Sequence, residues 1–319
     1  MISTFAQNKR LMIDKKIISL LPAATEIVCA LGLSDHLVGI SHECDFPETI
    51  RDLPVCSSSK VHTETASIEI DRAVKQMLSQ ALSIYDLDQE LISSLKPDVI
   101  ITQTQCDVCA VSFADVELAM KDSLNNNVKI ISLESATLDD ILSGIRRVGE
   151  ILEVPERAEA LIESLEERVD IIRHKLKFFE NKPSVACIEW MDPIMLAGNW
   201  VPGLVNIAGG NSILTVDGEH SPFIDFDEII LADPEILILM PCGFSIERTL
   251  REMDLMLNLP GWNNLSAVKN NRIYIADGNQ FFNRPGPRIV DSIEILAEII
   301  NPKQFFFGYE GQGWIRFNV

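Results

Sequence analysis

Four of the seven cysteines and one of the five histidines stand where a short apolar run gives way to soft or polar side chains. Leu37-Val-Gly-Ile40 leads into Ser41-His-Glu-Cys-Asp-Phe-Pro47, and Val99-Ile-Ile101 into Thr102-Gln-Thr-Gln-Cys-Asp-Val-Cys109. Val185-Ala-Cys-Ile188 precedes Glu189-Trp-Met-Asp-Pro193, and Ile236-Leu-Ile-Leu-Met240 precedes Pro241-Cys-Gly-Phe244. His42, Cys44, Cys106 and Cys109 have the ligand types of a zinc, iron–sulfur or other metal-ion site. One C-x-x-C without a second pair is incomplete as a structural zinc centre, and cysteine serves equally as a small buried apolar residue. His42 has a second use, because imidazole ligates cobalt or iron already held in a macrocycle.

Aromatic and basic residues supply the remaining binding chemistry. Trp200 lies in Gly198-Asn-Trp-Val-Pro202, a turn-like sequence unsuited to core packing. Phe281 and Phe282 occupy the irregular Asn279-Gln-Phe-Phe-Asn-Arg-Pro-Gly-Pro-Arg288. Aromatic loops of this kind sandwich flat or bulky ligands, whereas Trp190 and Trp262 read as core. The prolines hold Arg284 and Arg288 at the entrance of a helix, poised for ligand oxygens or, for Arg288, a structural ion pair. Thr25 and Glu26 sit where a helix starts at a strand's end, as a cap or a ligand contact and a dipole partner. The sequence contains no G-x-S-x-G, Walker, G-x-G-x-x-G or H-E-x-x-H pattern, which favours binding over turnover.

The elements that must position these residues are those of an α/β protein. Continuous apolar runs at 17–21, 37–40, 98–101 and 128–133, then at 184–190, 235–240 and 272–276, predict buried parallel strands. Amphipathic stretches near 68–80, 88–95, 112–125 and 138–153, and near 203–208, 226–232, 246–257 and 286–300, predict the intervening helices. Between the sets, Ala158, Leu161, Ile162, Leu165, Val169, Ile172, Leu176 and Phe179 recur at helical spacing after Pro155. The expectation is two Rossmann-like lobes with parallel sheets joined by one long helix, the ligand cleft lying between them at the strand ends. The division predicted is 1–154, a connecting helix 155–182, and 183–319, with the tail after Pro302 packed on the second lobe.

At 319 residues, 47% apolar and 23% charged, the chain is globular and large enough for two cores. A net charge of −20 opposes binding to nucleic acid or to anionic membrane surfaces. No apolar stretch reaches the roughly 20 residues that cross a bilayer. The first residues lack the order of a secretory signal, and the odd, scattered cysteines suit a reducing compartment, so the expectation is cytoplasmic. A periplasmic or surface location is the alternative if a leader has been removed. A monomer is expected.

Ile18-Ser-Leu-Leu-Pro-Ala-Ala-Thr-Glu26, Val38-Gly-Ile-Ser-His-Glu-Cys-Asp-Phe-Pro47, Leu95-Lys-Pro-Asp-Val-Ile100 and Ala208-Gly-Gly210 resemble segments of the cobalamin-binding proteins of ABC importers. Asp233-Pro-Glu-Ile-Leu237, Leu265-x-Ala-Val-Lys-x-x-Arg-Ile-Tyr274 and Arg284-Pro-Gly-Pro-Arg288 continue the resemblance in order, over about residues 17–302. That class of substrate-binding protein has a helical backbone and also serves haem and ferric siderophores. The resemblance implies a non-catalytic protein that clamps cobalamin or a related corrinoid, as an importer component or as an intracellular carrier or sensor. It implies ligand contacts at Pro22, Ala23, Thr25, His42, Asp45, Phe46, Trp200, Phe282 and Arg284, and a permease contact at Glu48. The Cys106–Cys109 and His42–Cys44 elements depart from the well-known periplasmic members.

Overall fold

The computed structural model describes residues 15–80, 82–104, 110–120 and 128–318. Cys106 and Cys109 therefore lie outside the described residues.

The first lobe begins with β1 (Ile17–Ser19), α1 (Pro22–Ala30), β2 (Leu37–Ile40), β3 (Ser57–Ser59) and α2 (Ser67–Ser79). It continues through β4 (Tyr85–Leu87), α3 (Gln89–Leu95), β5 (Val99–Gln103), α4 (Phe113–Met120), β6 (Lys129–Leu133) and α5 (Leu138–Ile151). β2, β1, β5 and β6 form one parallel sheet in that order, and β3 pairs antiparallel with β4. The strands are apolar on both faces because helices cover both, which is why they read as unbroken runs. Pro22 opens α1 at its first turn, where its missing N–H costs nothing.

The long helix α6 (Pro155–Leu176) has 22 residues, about 33 Å of rise. It ends three residues before the apolar spacing does. Ala158, Ile162, Leu165, Val169 and Ile172 form its buried face, but Phe178 and Phe179 leave the helix and are exposed.

The second lobe follows as β7 (Ser184–Met191), β8 (Ile194–Leu196), α7 (Val201–Ile207), β9 (Asn211–Ser212), α8 (Phe226–Ala232) and β10 (Ile236–Leu239). Then come α9 (Ile246–Leu250), α10 (Met253–Leu257), α11 (Ser266–Lys269), β11 (Ile273–Ala276), α12 (Ile289–Ile300) and β12 (Trp314–Phe317). The sheet order is β12-β11-β10-β7-β8, with β9 beside the start of β7. β7, β10 and β11 are parallel, whereas β8 and β12 run antiparallel and make this sheet mixed. The C-terminal segment thus does more than lie on the surface: it adds an edge strand. Glu298 of α12 holds it by accepting the backbone N–H groups of Phe307, Gly308 and Tyr309 and the Trp314 indole N–H.

One apolar cluster runs through both lobes. Ile17, Ala23 and Val28 join Ile162, Leu165 and Val169 of α6 and Val185, Ile238 and Ile293 of the second lobe. A second cluster fills the other face of the second sheet around Leu237, Ile275 and Trp262, the last of these core as its sequence context indicates. A third lies under the first sheet around Ile18, Ile92 and Ile100, and receives Phe244 from the second lobe. Shared cores of this kind resist wide hinge motion because packed interfaces do not deform continuously.

Candidate functional site

The segments that follow β2 and β11 meet across the two lobes. After β2 the chain turns sharply, with the Cys44 amide donating to the Ser41 carbonyl at 3.1 Å and the Glu43 amide to Ser41 Oγ at 3.2 Å. This turn directs Asp45 at the second lobe. On that side Asp277, at the end of β11, accepts the amides of Asn279 and Gln280 at 2.9 and 2.8 Å. The loop so fixed carries Arg284, whose Nε donates to the Asn279 carbonyl at 2.6 Å.

Arg284 reaches Asp45 through two nitrogens, at 2.5 and 3.1 Å, and Glu26 Oε1 at 3.3 Å. Arg288 grips the same Glu26 through Nε at 3.0 Å and Nη2 at 2.5 Å. Glu26 and Arg284 are buried, and Asp45 keeps 38% of its side chain exposed. The guanidinium of Arg288 also lies 4.1 Å from the centre of the half-exposed Phe46 ring, a cation–π contact. Next to this network Gly286 faces Ala23 so closely that a Cβ there would sit 3.1 Å from the Ala23 carbonyl oxygen. The lobes touch backbone to backbone at that point.

A second junction lies at the start of α2. Its N-cap position, Ala66, has no side chain to satisfy the free amides. Glu252 of the other lobe accepts the Ser67 N–H at 3.2 and 3.3 Å, while Arg248 donates to the Thr65 carbonyl and pairs with Glu252 at 2.5 Å. Arg248 lies over the Phe244 ring, which packs at a tilt against Trp190, whose indole N–H donates to the Asp192 carbonyl. Trp190, which its sequence context assigns to the core, is half-buried at the seam instead.

Electrostatics vary sharply within the β2 turn. Burial pushes the Glu43 carboxyl up to about 7, against the pull of Arg284. Burial also acts upward on Asp45, but the hydrogen bonds and charge of Arg284 outweigh it and hold Asp45 below the ordinary carboxylate range. Partial desolvation of its inner edge lowers the pKa of His42, whose Nδ1 lies 2.9 Å from Ser57 Oγ while the ring stays largely exposed. Burial pushes the Cys44 thiol up to about 12. Thr25 Oγ1 lies 3.1 Å from Cys44 Sγ and 2.8 Å from Ser19 Oγ. One hydroxyl proton cannot serve both, so the retained thiol proton completes the chain to Ser19 and on to the Leu21 carbonyl.

The structure brings Ala23, Asp45, Phe46 and Arg284 to the seam, with Pro22 next to Ala23 at the start of α1 and His42 exposed on the same turn as Asp45. Thr25 is fully buried within the first lobe. Trp200 is buried too, and its indole N–H donates to the carbonyl of Phe282, itself without exposure, at 2.7 Å. The turn-like sequence around Trp200 misleads because α7 begins one residue later and carries the ring inward. Glu26, Arg248 and Glu252 are seam residues that sequence reasoning missed. Glu26 reads as a helix-dipole residue, and its true partners lie more than 250 residues away. Among the described residues no group of three or more His, Cys, Asp and Glu side chains is arranged to hold a metal ion.

The sequence profile of the periplasmic binding protein family matches residues 17–279. Over 294 residues the chain is 25% identical to the vitamin B12-binding protein of Vibrio cholerae, covering 91% of this chain and 90% of that protein. It is 23% identical, over 91% of its length and 81% of the relative's, to an uncharacterized ABC transporter substrate-binding lipoprotein, YvrC, of Bacillus subtilis. Among solved structures, that of Staphylococcus aureus IsdE complexed with heme superposes with a TM-score of 0.68 at 17% identity, covering 90% of this chain and 99% of the other. Two α/β lobes on one connecting helix, a seam at the strand ends and a family match over most of the chain lead to one assignment: the protein belongs to the periplasmic binding protein family of substrate-binding proteins.

Proposed function

We propose that the chain binds cobalamin or a related corrinoid between its lobes, as the substrate-binding component of an ABC importer. The observation that carries this reading is the charge matching of the seam. Arg284 faces Asp45 and Glu26, Arg288 faces Glu26, and Arg248 faces Glu252, so each of these guanidinium groups is already paired with a carboxylate. An anionic ligand such as haem, with its two propionates, or a carboxylate siderophore is favoured by surplus positive charge. A corrinoid presents mainly amide groups, which a balanced set of guanidinium donors and carboxylate acceptors can address together. The relative named vitamin B12-binding protein, similar end to end, supports the same ligand.

In this reading Pro22, Ala23, His42, Asp45, Phe46 and Arg284 form the contact surface, and Asp45 and Arg284 exchange each other for ligand amides as the lobes part slightly. Thr25, Trp200 and Phe282 act from behind, by holding that surface in shape. The division this reading uses is 1–154 and 183–319 about the connecting segment 155–182, which holds α6 (Pro155–Leu176). Glu48, exposed beside Phe46, is the permease contact of the first lobe. The relative named a lipoprotein supports a location outside the cytoplasmic membrane, against the cytoplasmic expectation from the first residues. No helix among the described residues is long and apolar enough to cross a membrane.

The test is calorimetry with cyanocobalamin, hydroxocobalamin and haemin. Heat with both cobalamins and weaker heat with haemin is expected. No heat with either cobalamin at high micromolar concentration, or tighter binding of haemin, overturns the assignment. A visible-band shift confined to hydroxocobalamin and lost in His42→Ala assigns His42 as an axial ligand.

A further inference from the structure

The C-terminal ends of α6, α7 and α12 converge at the base of the second lobe. Asn301 donates to the Ala208 carbonyl at 2.8 Å, and Gly209 lies against Leu176 and Asn301. Four phenylalanines leave this end without cover: Phe178 is 84% exposed, Phe306 88%, Phe179 42% and Phe307 39%. The two groups are contiguous, since Lys175 Nζ lies 5.2 Å from the centre of the buried Phe305 ring, on which Phe307 stacks. Lys175, Lys177, Lys182 and Lys303 are all exposed around them, with Glu180 among them and Arg173 paired to Asp170 at the edge. The face is thus basic in a chain whose formal net charge is −20.

Lysines at a helix end are favourable to the helix dipole whatever else they do. The dipole gives no reason for four exposed aromatic rings beside them. Aromatic rings with long cationic side chains are the composition that settles at a lipid headgroup layer, rings at the acyl boundary and ammonium groups on phosphates. The acidic remainder of the molecule is not an obstacle at physiological salt, because charges more than about 8 Å from the surface are largely screened.

We infer that this face, centred on Phe178 and Phe306, is a peripheral docking surface for an anionic phospholipid bilayer. It lies at the amino ends of the second lobe's parallel strands, since β7 starts at Ser184, and the seam lies at their carboxyl ends. Adsorption therefore leaves the ligand seam free. The inference does not depend on the ligand.

Co-sedimentation of the full chain with vesicles tests it, using pure phosphatidylcholine and phosphatidylcholine with roughly a quarter phosphatidylglycerol at about 0.1 M salt. Pelleting with the anionic vesicles is expected, weakened on the order of tenfold in Lys175→Glu/Lys177→Glu. Phe178→Ser/Phe306→Ser is expected to release the protein, while Leu118→Ser, exposed on α4 of the first lobe, leaves pelleting unchanged. Thermal melts identify any variant that has lost its fold. Equal pelleting of the wild type and both face variants overturns the inference, as does equal loss in Leu118→Ser. Concentration-dependent dimerisation in sedimentation velocity, abolished by Phe306→Ser, also overturns it by assigning the face to a second copy.

Discussion

Glu26 is the residue on which the seam turns, and replacing it with glutamine isolates its charge with little change of shape. Both carboxylate oxygens are used: Oε2 accepts Arg288 Nε at 3.0 Å, and Oε1 accepts Arg288 Nη2 at 2.5 Å and Arg284 Nη1 at 3.3 Å. A glutamine keeps one acceptor and turns an N–H₂ donor toward a guanidinium, leaving Arg288 without a carboxylate in a site where Glu26 is 3% exposed. Removing one member of a buried ion pair costs about 3 kcal/mol or more, because the other charge stays desolvated. Asp45 is a different case. It keeps more than a third of its side chain in solvent, and Arg284 retains Glu26 without it, so Asp45→Asn costs about 1 kcal/mol. At about 2 °C per kcal/mol for a chain of this size, Glu26→Gln lowers the thermal midpoint by about 6 °C and Asp45→Asn by about 2 °C. Differential scanning fluorimetry reads both. A midpoint for Glu26→Gln within 2 °C of wild type, or a larger fall in Asp45→Asn, refutes the reasoning that the buried carboxylate organises the seam.

Glu43, raised to about 7 by burial, favours its protonated form in the fold; its contribution is complete below the ordinary glutamate value and is lost as pH rises through 7. Glu43→Gln therefore raises the thermal midpoint at pH 8 but not at pH 5, and equal effects at both pH values contradict the assignment. Asp45 has the opposite sign: held low mainly by Arg284, it stabilises the fold above the ordinary aspartate range and stops doing so as pH falls through its lowered value. Arg284→Met therefore costs more stability at pH 7 than at low pH, as thermal melts across the acid range check, and an equal cost throughout contradicts the pairing. Cys44, pushed up to about 12, resists iodoacetamide at pH 8 in the native chain and reacts after unfolding, as peptide mass mapping checks. Trp200→Phe leaves the Phe282 carbonyl unpaired and costs about 1–2 kcal/mol, read by urea denaturation. Full stability with lost corrinoid binding shows instead that the indole meets ligand.

The elements legible in the sequence are those fixed by local periodicity. The apolar runs that become β1, β5, β7 and β10 are buried on both faces, and α6 announces itself by five buried positions on one stripe. Boundaries set by tertiary contact are less legible. The 246–257 stretch divides into α9 and α10, and the tail gains β12 through Glu298, a contact that no local spacing encodes. Burial in loops is the least legible property. Trp200 and Phe282 lie in segments of turn composition, yet each satisfies the other's backbone or indole group in the interior. Arg284 and Arg288 are singled out by the prolines around them, but their partner Glu26 is visible only once α1 and α12 are packed together.

That packing also bears on how the seam opens. Three features bind the lobes: the Glu26 network, the trans cap that Glu252 gives α2, and an apolar cluster continuous through α6. The cluster and the buried Glu26–Arg288 pair are costly to separate, whereas the Asp45–Arg284 bridge is partly hydrated and cheaper to break. In the binding mode proposed above, the seam would thus open at Asp45 first and leave Glu26 engaged. Such a motion is small, exposes one aspartate and one arginine together, and so presents an acceptor and a donor to the same ligand edge. An amide satisfies both at once; a lone carboxylate satisfies the arginine and repels the aspartate. The order of breakage thus reinforces the ligand class that the charge matching favours.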